Sequence, residues 1–315
     1  MSGGLTSLLS NRAGHMAAES GSMFETMLTV IGSVSAVVHV IGRIQYPLHP
    51  LILCAKPVPI LCLAILLQSW SKGVADTAGY TKWLRRGLFL SMAGDIFLMP
   101  VQPFDKFIAG LASFLAAHLC YIIAFLSEQT GFARPACNLK QSDDKDVAAF
   151  AAGMEDAARR VRTTSTAFAV PFVVFAGVIY GGMLHDHLPV ELVGPVIAYV
   201  AAIGTMGWRS ASRFGPGYLA VPPESYTNAL CGSMLFLISD ALLGMGKFNP
   251  AFTDFQAVVD TGVMVTYYGG QYFIARSCTL GPVVTWGEDG RPIGASASEQ
   301  STMLSKKLLE AKKVQ

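Results

Sequence analysis

Apolar runs of about 20 residues recur along the chain, and they limit its possible folds more than any other feature. About 20 consecutive apolar residues is the length that an α-helix needs to cross a hydrocarbon core of roughly 30 Å. Charged residues make up only 14% of the 315 positions, whereas soluble domains carry about 25%. The sequence therefore predicts an all-α integral membrane protein.

Eight such runs predict eight transmembrane helices. We place them at 24–42, 48–70, 84–101, 107–127, 165–184, 189–208, 227–246 and 255–276. Together they form an expected membrane domain at 23–276, which follows a polar N-terminal segment at 1–22 and precedes a C-terminal cytoplasmic tail at 277–315. The most polar stretch, 128–163, is predicted to be a cytoplasmic insertion. Apolar residues at helical spacing within it fit either a helix lying on the membrane or a solvated loop helix.

The distribution of positive charge predicts the orientation of these helices. With eight spans, the termini and the loops on their side carry 19 Lys and Arg residues. The opposite side carries only three, Arg43, Lys106 and Lys247. Positively charged loops stay in the cytoplasm, so we expect both termini to be cytoplasmic.

The third and seventh spans resemble each other around an aspartate. Residues 88–98 and 234–244 each contain an apolar run, a small residue, an aspartate and further apolar residues. Four spans separate the two segments, so they run in the same direction. This predicts two parallel four-helix repeats, as in some transporter folds.

Five ionisable residues fall inside the predicted spans: Lys56, Asp95, His118, Asp240 and Asp260. A charged group in hydrocarbon costs at least a few kcal/mol, so such residues face a protein interior or a water-filled cavity. Their predicted depths fall within a slab roughly 10 Å thick, and they are candidates to line one cavity. Structural interpretations stay open: Lys56 can staple two helices by pairing with an aspartate, and Asp260 can be an interfacial cap.

Around these residues the sequence resembles the YhhN family of lysoplasmalogenase-like transmembrane proteins. The matching pieces run in order from about 50 to 275. They are Lys56-Pro57, Ser91-x-x-Gly94-Asp95, Phe107-x-x-Gly110-x-x-x-Phe114-x-x-x-His118-x-x-Tyr121, Tyr199, Met206, Phe236-x-x-Ser239-Asp240 and Tyr267-x-x-x-Gln271. The polar insertion and the long termini depart from the family pattern without interrupting these motifs.

The resemblance implies hydrolysis of the vinyl-ether bond of lysoplasmalogens, which yields a fatty aldehyde and a glycerophospho head group. It implies that Asp95 and Asp240 are the active-site acids. Such a reaction requires a proton on the β-carbon of the vinyl ether, as glycoside hydrolysis requires one on the leaving oxygen. The expected supporting or substrate-binding residues are Lys56, Ser91, His118, Tyr121, Tyr199, Ser239, Tyr267 and Gln271.

Two other functions stay open from the sequence. A ceramidase-like hydrolase would need several histidines around a metal, but only His118 lies deep in a span. A proton-coupled transporter of lipids or small molecules would also explain buried carboxylates in parallel halves. The expected partners are a lysophospholipid and membrane lipid, without a metal, a cofactor or nucleic acid, and the resemblance favours the endoplasmic reticulum in a eukaryote.

Overall fold

The computed structural model describes residues 3–46, 48–71, 79–99, 106–139, 166–213 and 223–278, and within these ranges its regular elements are all helical. The α-helices are α1 (Gly3–Gln45), α2 (Pro50–Ala55), α3 (Val58–Trp70), α4 (Tyr80–Phe97), α5 (Phe107–Leu139), α6 (Val170–Ile179), α7 (Val190–Ala211), α8 (Pro223–Phe248) and α9 (Gln256–Arg276). A π-helical turn, Tyr180–Leu184, extends α6, and a 3-10 helix, Pro250–Phe255, precedes α9.

Five segments of the described chain are long and apolar enough to cross a membrane: Ser22–Gln45, Pro50–Trp70, Phe107–Ser127, Val190–Ala211 and Glu224–Phe248. Together with the outward-facing apolar residues, they identify a membrane protein. Helices α4, α6 and α9 do not meet the same criterion, because α6 is short, α4 carries four charged residues, and α9 is too rich in polar residues and glycine. The eight-span count and the parallel repeat therefore stay predictions.

From residue 22 onward, where the structure describes its side chains, helix α1 presents most of its apolar side chains to the surroundings. Val30, Val34, Val37 and Ile41 are each more than half exposed, as expected for a helix in contact with lipid acyl chains. The helix begins at Gly3 and so runs through the predicted polar segment at 1–22. In the predicted insertion, residues 140–163 lie outside the described part of the chain, as do residues 279–315 of the predicted tail.

The predicted span at 48–70 is broken in the middle, between α2 and α3. Pro57 and Pro59 lack the N–H groups that would continue the helical hydrogen bonds. The carbonyl groups freed at the break accept side-chain donors instead, because unsatisfied backbone groups are costly inside a membrane. Ser35 donates to Ala55 O at 3.0 Å, and Tyr268 donates to Lys56 O at 3.0 Å. The break places Lys56 inside the bundle.

Two pairs of consecutive helices pack closely, α4 with α5 and α8 with α9. Glycines allow these approaches. A Cβ atom on Gly94 of α4 would lie 2.6 Å from the Phe114 ring on α5. One on Gly232 of α8 would lie 2.8 Å from the carbonyl oxygen of Gly270 on α9. The close packing brings the two predicted acids, on α4 and α8, into one helical core.

One end of the bundle is tied together by Arg213, which follows α7. Its guanidinium lies 5.0 Å from the centre of the Tyr80 ring, and Nη2 donates to Ser225 Oγ at 2.9 Å. Ser225 donates in turn to the carbonyl of Ser277 at 2.6 Å. These contacts join the start of α4, the end of α7, the start of α8 and the end of α9.

Candidate active site

Asp240 of α8 is held by side chains from two other helices. The Tyr199 hydroxyl on α7 donates a hydrogen bond to Asp240 Oδ2. His118 Nε2 on α5 lies 3.3 Å from the same oxygen and 3.0 Å from the Tyr199 hydroxyl. His118 is fully buried, whereas the Asp240 side chain keeps 12% exposure. Oδ1 of Asp240 has no hydrogen-bond partner among the described residues.

The exposure of Asp240 is explained by a partly open cavity that this residue helps to line. The wall is made mostly of apolar side chains from four helices and the segments next to them. Its residues are Leu98, Phe107, Leu111, Phe114, Ile179, Leu184, Val196, Tyr199, Val200, Ile203, Leu237, Asp240, Ala241, Leu243, Gly244, Lys247 and Phe248. Asp240 and Lys247 are the two ionisable carboxylate or ammonium groups of this wall.

Asp95 of α4 lies in a separate and more enclosed environment, with 1% exposure. Lys56 Nζ lies 3.3 Å from its Oδ1, and the Tyr267 hydroxyl donates to its Oδ2 at 2.7 Å. Lys56 Nζ also donates to the backbone carbonyl of Asp95 at 3.4 Å. Both carboxylate oxygens of Asp95 therefore have partners, and the residue does not belong to the wall of the Asp240 cavity.

A third group of predicted site residues forms a buried polar contact between α4, α5 and α9. The Tyr121 hydroxyl donates to Gln271 Oε1 at 2.7 Å and lies 3.5 Å from Ser91 Oγ. Gln271 Nε2 is buried without a hydrogen-bond partner in the described part of the molecule. Ser239 stands apart from this group, because its hydroxyl donates to the carbonyl of Val263 at 3.0 Å and so joins α8 to α9.

Phe236 lies between the Asp95 and Asp240 environments. Its ring centre is 4.8 Å from that of His118, which contacts Asp240, and 5.5 Å from that of Tyr267, which contacts Asp95. The two carboxyl groups share no hydrogen-bond or ion-pair partner among the described side chains. The Phe236 ring therefore lies between the partners of the Asp95 carboxyl group and those of the Asp240 carboxyl group.

Asp260 is not part of either environment. It pairs with Arg43 at 3.1 Å, and its side chain is 28% exposed. Gln256 donates to its other carboxylate oxygen at 2.9 Å. Of the five ionisable residues predicted to line one cavity, only Asp240 belongs to the wall described above. The position of Asp260 fits the alternative of a cap near the end of the bundle.

The sequence comparison decides the family of this bundle. The family model of the YhhN family matches residues 51–140 and 147–278. The chain belongs to the YhhN family. The matched ranges of this YhhN chain include all ten predicted site residues, whereas α1 lies outside them.

Curated relatives of this YhhN chain carry the printed name lysoplasmalogenase. The Sus scrofa protein, lysoplasmalogenase TMEM86B, is 29% identical over 227 residues, which cover 72% of this chain and 75% of the relative. The Homo sapiens TMEM86B is 27% identical over 230 residues, with coverage of 72% and 75%. The Bos taurus TMEM86A is 27% identical over 224 residues, with coverage of 70% and 75%. No solved structure matches the chain.

A metal ion in the described part of this YhhN chain would need a suitable grouping of ligand side chains. Within the described ranges, no three His, Cys, Asp or Glu side chains are grouped so that they could hold a metal ion. The sequence analysis placed neither Phe236 nor Lys247 among the site residues. A signal for Lys247 was present, because Asp240, Gly244 and Lys247 have the i, i+4, i+7 spacing of one helix face.

Proposed function

We propose that this YhhN protein hydrolyses the vinyl-ether bond of lysoplasmalogens with Asp240 as the catalytic acid. The products are a fatty aldehyde and glycerophosphocholine or glycerophosphoethanolamine. The observation that carries the proposal is a carboxyl group in the wall of an apolar cavity, with one oxygen held by Tyr199 and His118. The printed names of the relatives support the same reaction.

The two oxygens of Asp240 have different roles in this proposal. Oδ2 is oriented by the Tyr199 hydroxyl and lies against His118, while Oδ1 has no partner among the side chains that the structure describes. Oδ1 carries the proton and transfers it to the β-carbon of the vinyl ether. The electron pair of the double bond forms the new C–H bond, and the ether oxygen stabilises the resulting cation as an oxocarbenium ion.

The same carboxyl group then acts as a base. Once deprotonated, Asp240 accepts a proton from the water that adds to the oxocarbenium carbon, so the acid is regenerated. The hemiacetal that forms loses its hydroxyl proton as its bond to the glycerol oxygen breaks, and the glycerol oxygen gains a proton, so aldehyde and alcohol are released. Protein atoms are unchanged over the cycle, and one water is consumed for each lipid.

Asp95 has a different role from Asp240 in this proposal. Both of its oxygens are engaged by Lys56 and Tyr267, and it lies outside the cavity wall. We assign it as a positioning residue, which fixes Tyr267 and, through the Phe236 ring, the His118 side of the site. Tyr121, Gln271, Ser91 and Ser239 support the helices around it.

The test is aldehyde release from a lyso vinyl-ether lipid by purified Asp240→Asn and Asp95→Asn variants, with products identified by mass spectrometry. Asp240→Asn is expected to lose at least about 100-fold in kcat, the smallest loss typical of a missing general acid. Asp95→Asn is expected to lose less. Asp260→Asn serves as the control, because Asp260 pairs with Arg43 away from the cavity. Full activity in Asp240→Asn would contradict the assignment, and recovery of only intact lipid from wild-type protein would favour transport.

The orientation in the membrane is also a proposal. We infer cytoplasmic termini, with the end of the bundle at Arg213 on the cytoplasmic side. Two contacts support this orientation: Lys247 lies over Phe107, and Lys106 lies over Phe97. These two of the three cations predicted on the non-cytoplasmic side are therefore grouped at the end of the bundle opposite Arg213. Labelling of single cysteines introduced beside Lys247 and beside Arg12 with an impermeant reagent in sealed vesicles tests it. Placement in the endoplasmic reticulum rests on the family resemblance.

A further inference from the structure

Lys247 lies at the rim of the cavity that contains Asp240. It belongs to the same helix, and both residues contribute to the cavity wall. Its ammonium group is 4.4 Å from the centre of the Phe107 ring, which lines the cavity as well. A cation–π contact of this kind holds the ammonium group over the ring while leaving its N–H donors available to a ligand.

No carboxylate among the described residues pairs with Lys247. Arg43, another cation in this part of the bundle, forms an ion pair with Asp260 at 3.1 Å. Apart from Asp240, the side chains that share the cavity wall with Lys247 carry no negative charge. Among the described residues, the positive charge of Lys247 therefore lies beside an apolar space without a paired carboxylate.

The spacing between Lys247 and Asp240 fits the substrate class of the proposed reaction. They are seven positions apart on α8, which corresponds to a rise of about 10 Å on one face of the helix. In a lysoplasmalogen, eight covalent bonds separate the β-carbon of the vinyl ether from a phosphate oxygen, or about 9 Å when extended. One molecule can therefore place its reactive carbon at Asp240 and its phosphate at Lys247.

We propose that Lys247 binds the phosphate of the lipid and makes the enzyme selective for phosphate-bearing lyso vinyl-ether lipids over uncharged alkenylglycerols. The inference rests on the proposed function and adds its head-group subsite. A lysine ammonium binds phosphate as a compact point charge. The alkenyl chain then extends from Asp240 along the apolar wall, toward Ile203 and Leu237.

Kinetics in maltoside micelles, which contain no phosphate, separate substrate binding from contact with bilayer phosphates. Two substrates are compared, 1-alkenyl-glycerophosphocholine and uncharged 1-alkenylglycerol. Lys247→Gln is expected to raise KM for the phospholipid roughly 10- to 100-fold, as for loss of a hydrogen bond to a charged group, with little change in kcat. Lys247→Arg is expected to restore most of the affinity, and both variants should hydrolyse the alkenylglycerol like wild type.

Lys106→Gln is the matched control, because Lys106 is also a cation over a ring, 5.9 Å from the centre of Phe97, but does not line the cavity. An unchanged KM for the phospholipid in Lys247→Gln would overturn the proposal. An equal rise in KM in Lys106→Gln would overturn it too, because it would reveal a general effect of surface charge.

Binding of a saturated 1-alkyl lysophosphatidylcholine, which lacks the cleavable bond, separates this inference from the proposed hydrolysis. If wild-type protein releases no aldehyde, the reaction is wrong, and the role of Lys247 is judged on this binding alone. At least tenfold weaker binding by Lys247→Gln than by wild type and Lys106→Gln would support the phosphate subsite. Equal binding by all three proteins would contradict it.

Discussion

The ammonium group of Lys56 lies 3.3 Å from Oδ1 of Asp95, and both side chains are buried. Lys56 comes from the break between α2 and α3, and Asp95 comes from α4. Their neighbours Tyr267 and Tyr268, both on α9, donate to the Asp95 carboxylate and to the Lys56 carbonyl. The ion pair therefore fixes an interrupted helix against two others.

We expect Lys56→Met to lower the free energy of unfolding by about 3–5 kcal/mol, because it leaves a buried carboxylate without its counter-charge. Adding Asp95→Asn to Lys56→Met should recover much of this loss, since the charge that was left uncompensated is then removed. The measurement is a double-mutant cycle of unfolding free energies in detergent. Additive effects of the two substitutions would show that the pair contributes no coupling.

Tyr199→Phe is predicted to lower kcat roughly 10- to 100-fold, because it removes a donor to the carboxylate that carries the catalytic proton. The substitution keeps the ring that packs against His118 at a centroid distance of 5.1 Å. Tyr121→Phe provides a matched control, since it removes a buried hydroxyl that donates to Gln271 and not to an acid. Equal losses in the two variants would assign the effect of Tyr199→Phe to the general loss of a buried hydroxyl and not to the contact with Asp240.

The sequence alone was sufficient to single out Asp95 and Asp240 as candidates, and the reason is energetic. An aspartate inside an apolar run is too costly to be placed there without a partner, so Asp95 and Asp240 stand out against their neighbours. Family resemblance added the uncharged residues Tyr199, Tyr267 and Gln271, which single-sequence patterns do not separate from helix-packing residues. The apolar runs likewise predicted the helical fold.

The pairing of these residues could not be read from the sequence. The sequence does not show which aspartate pairs with Lys56. The pairing with Asp95 depends on the helix break at Pro57 and on packing between distant segments. The cavity is also a tertiary feature, because α5, α6, α7 and α8 each contribute to its wall. From the sequence, Lys247 is only one of the charges near the ends of the spans that set the orientation. Its position beside Phe107 is seen only in the structure.

Filling the cavity should block substrate without unfolding the protein. Gly244 lines the cavity, and a Cβ atom there would make ordinary contact with Leu184 at 3.4 Å. Gly244→Leu is expected to raise KM at least tenfold for long-chain lyso vinyl-ether lipids, with a smaller effect on short-chain analogues. The control is Gly194→Leu on α7, where an added Cβ meets nothing within 4 Å. A proportional loss for all chain lengths would mean that the cavity does not hold the alkenyl chain.

The contact between α8 and α9 depends on two glycines, and it holds the Asp240 helix in place. A Cβ atom on Gly232 would lie 2.7 Å from the backbone nitrogen of Ile274 and 2.8 Å from the carbonyl oxygen of Gly270. Backbone atoms cannot rotate away, so Gly232→Ala must push the helices apart. We expect a loss of about 1–3 kcal/mol in the free energy of unfolding, the range for overpacking a well-packed core.

Gly204→Ala on α7 is the comparison for this effect, because a Cβ atom there meets nothing within 4 Å. It should leave stability unchanged or raise it by up to about 1 kcal/mol, since alanine costs less backbone entropy than glycine in a helix. Thermal unfolding of both variants in the same detergent measures the difference. If Gly232→Ala were as stable as Gly204→Ala, the close approach of α8 and α9 would be contradicted.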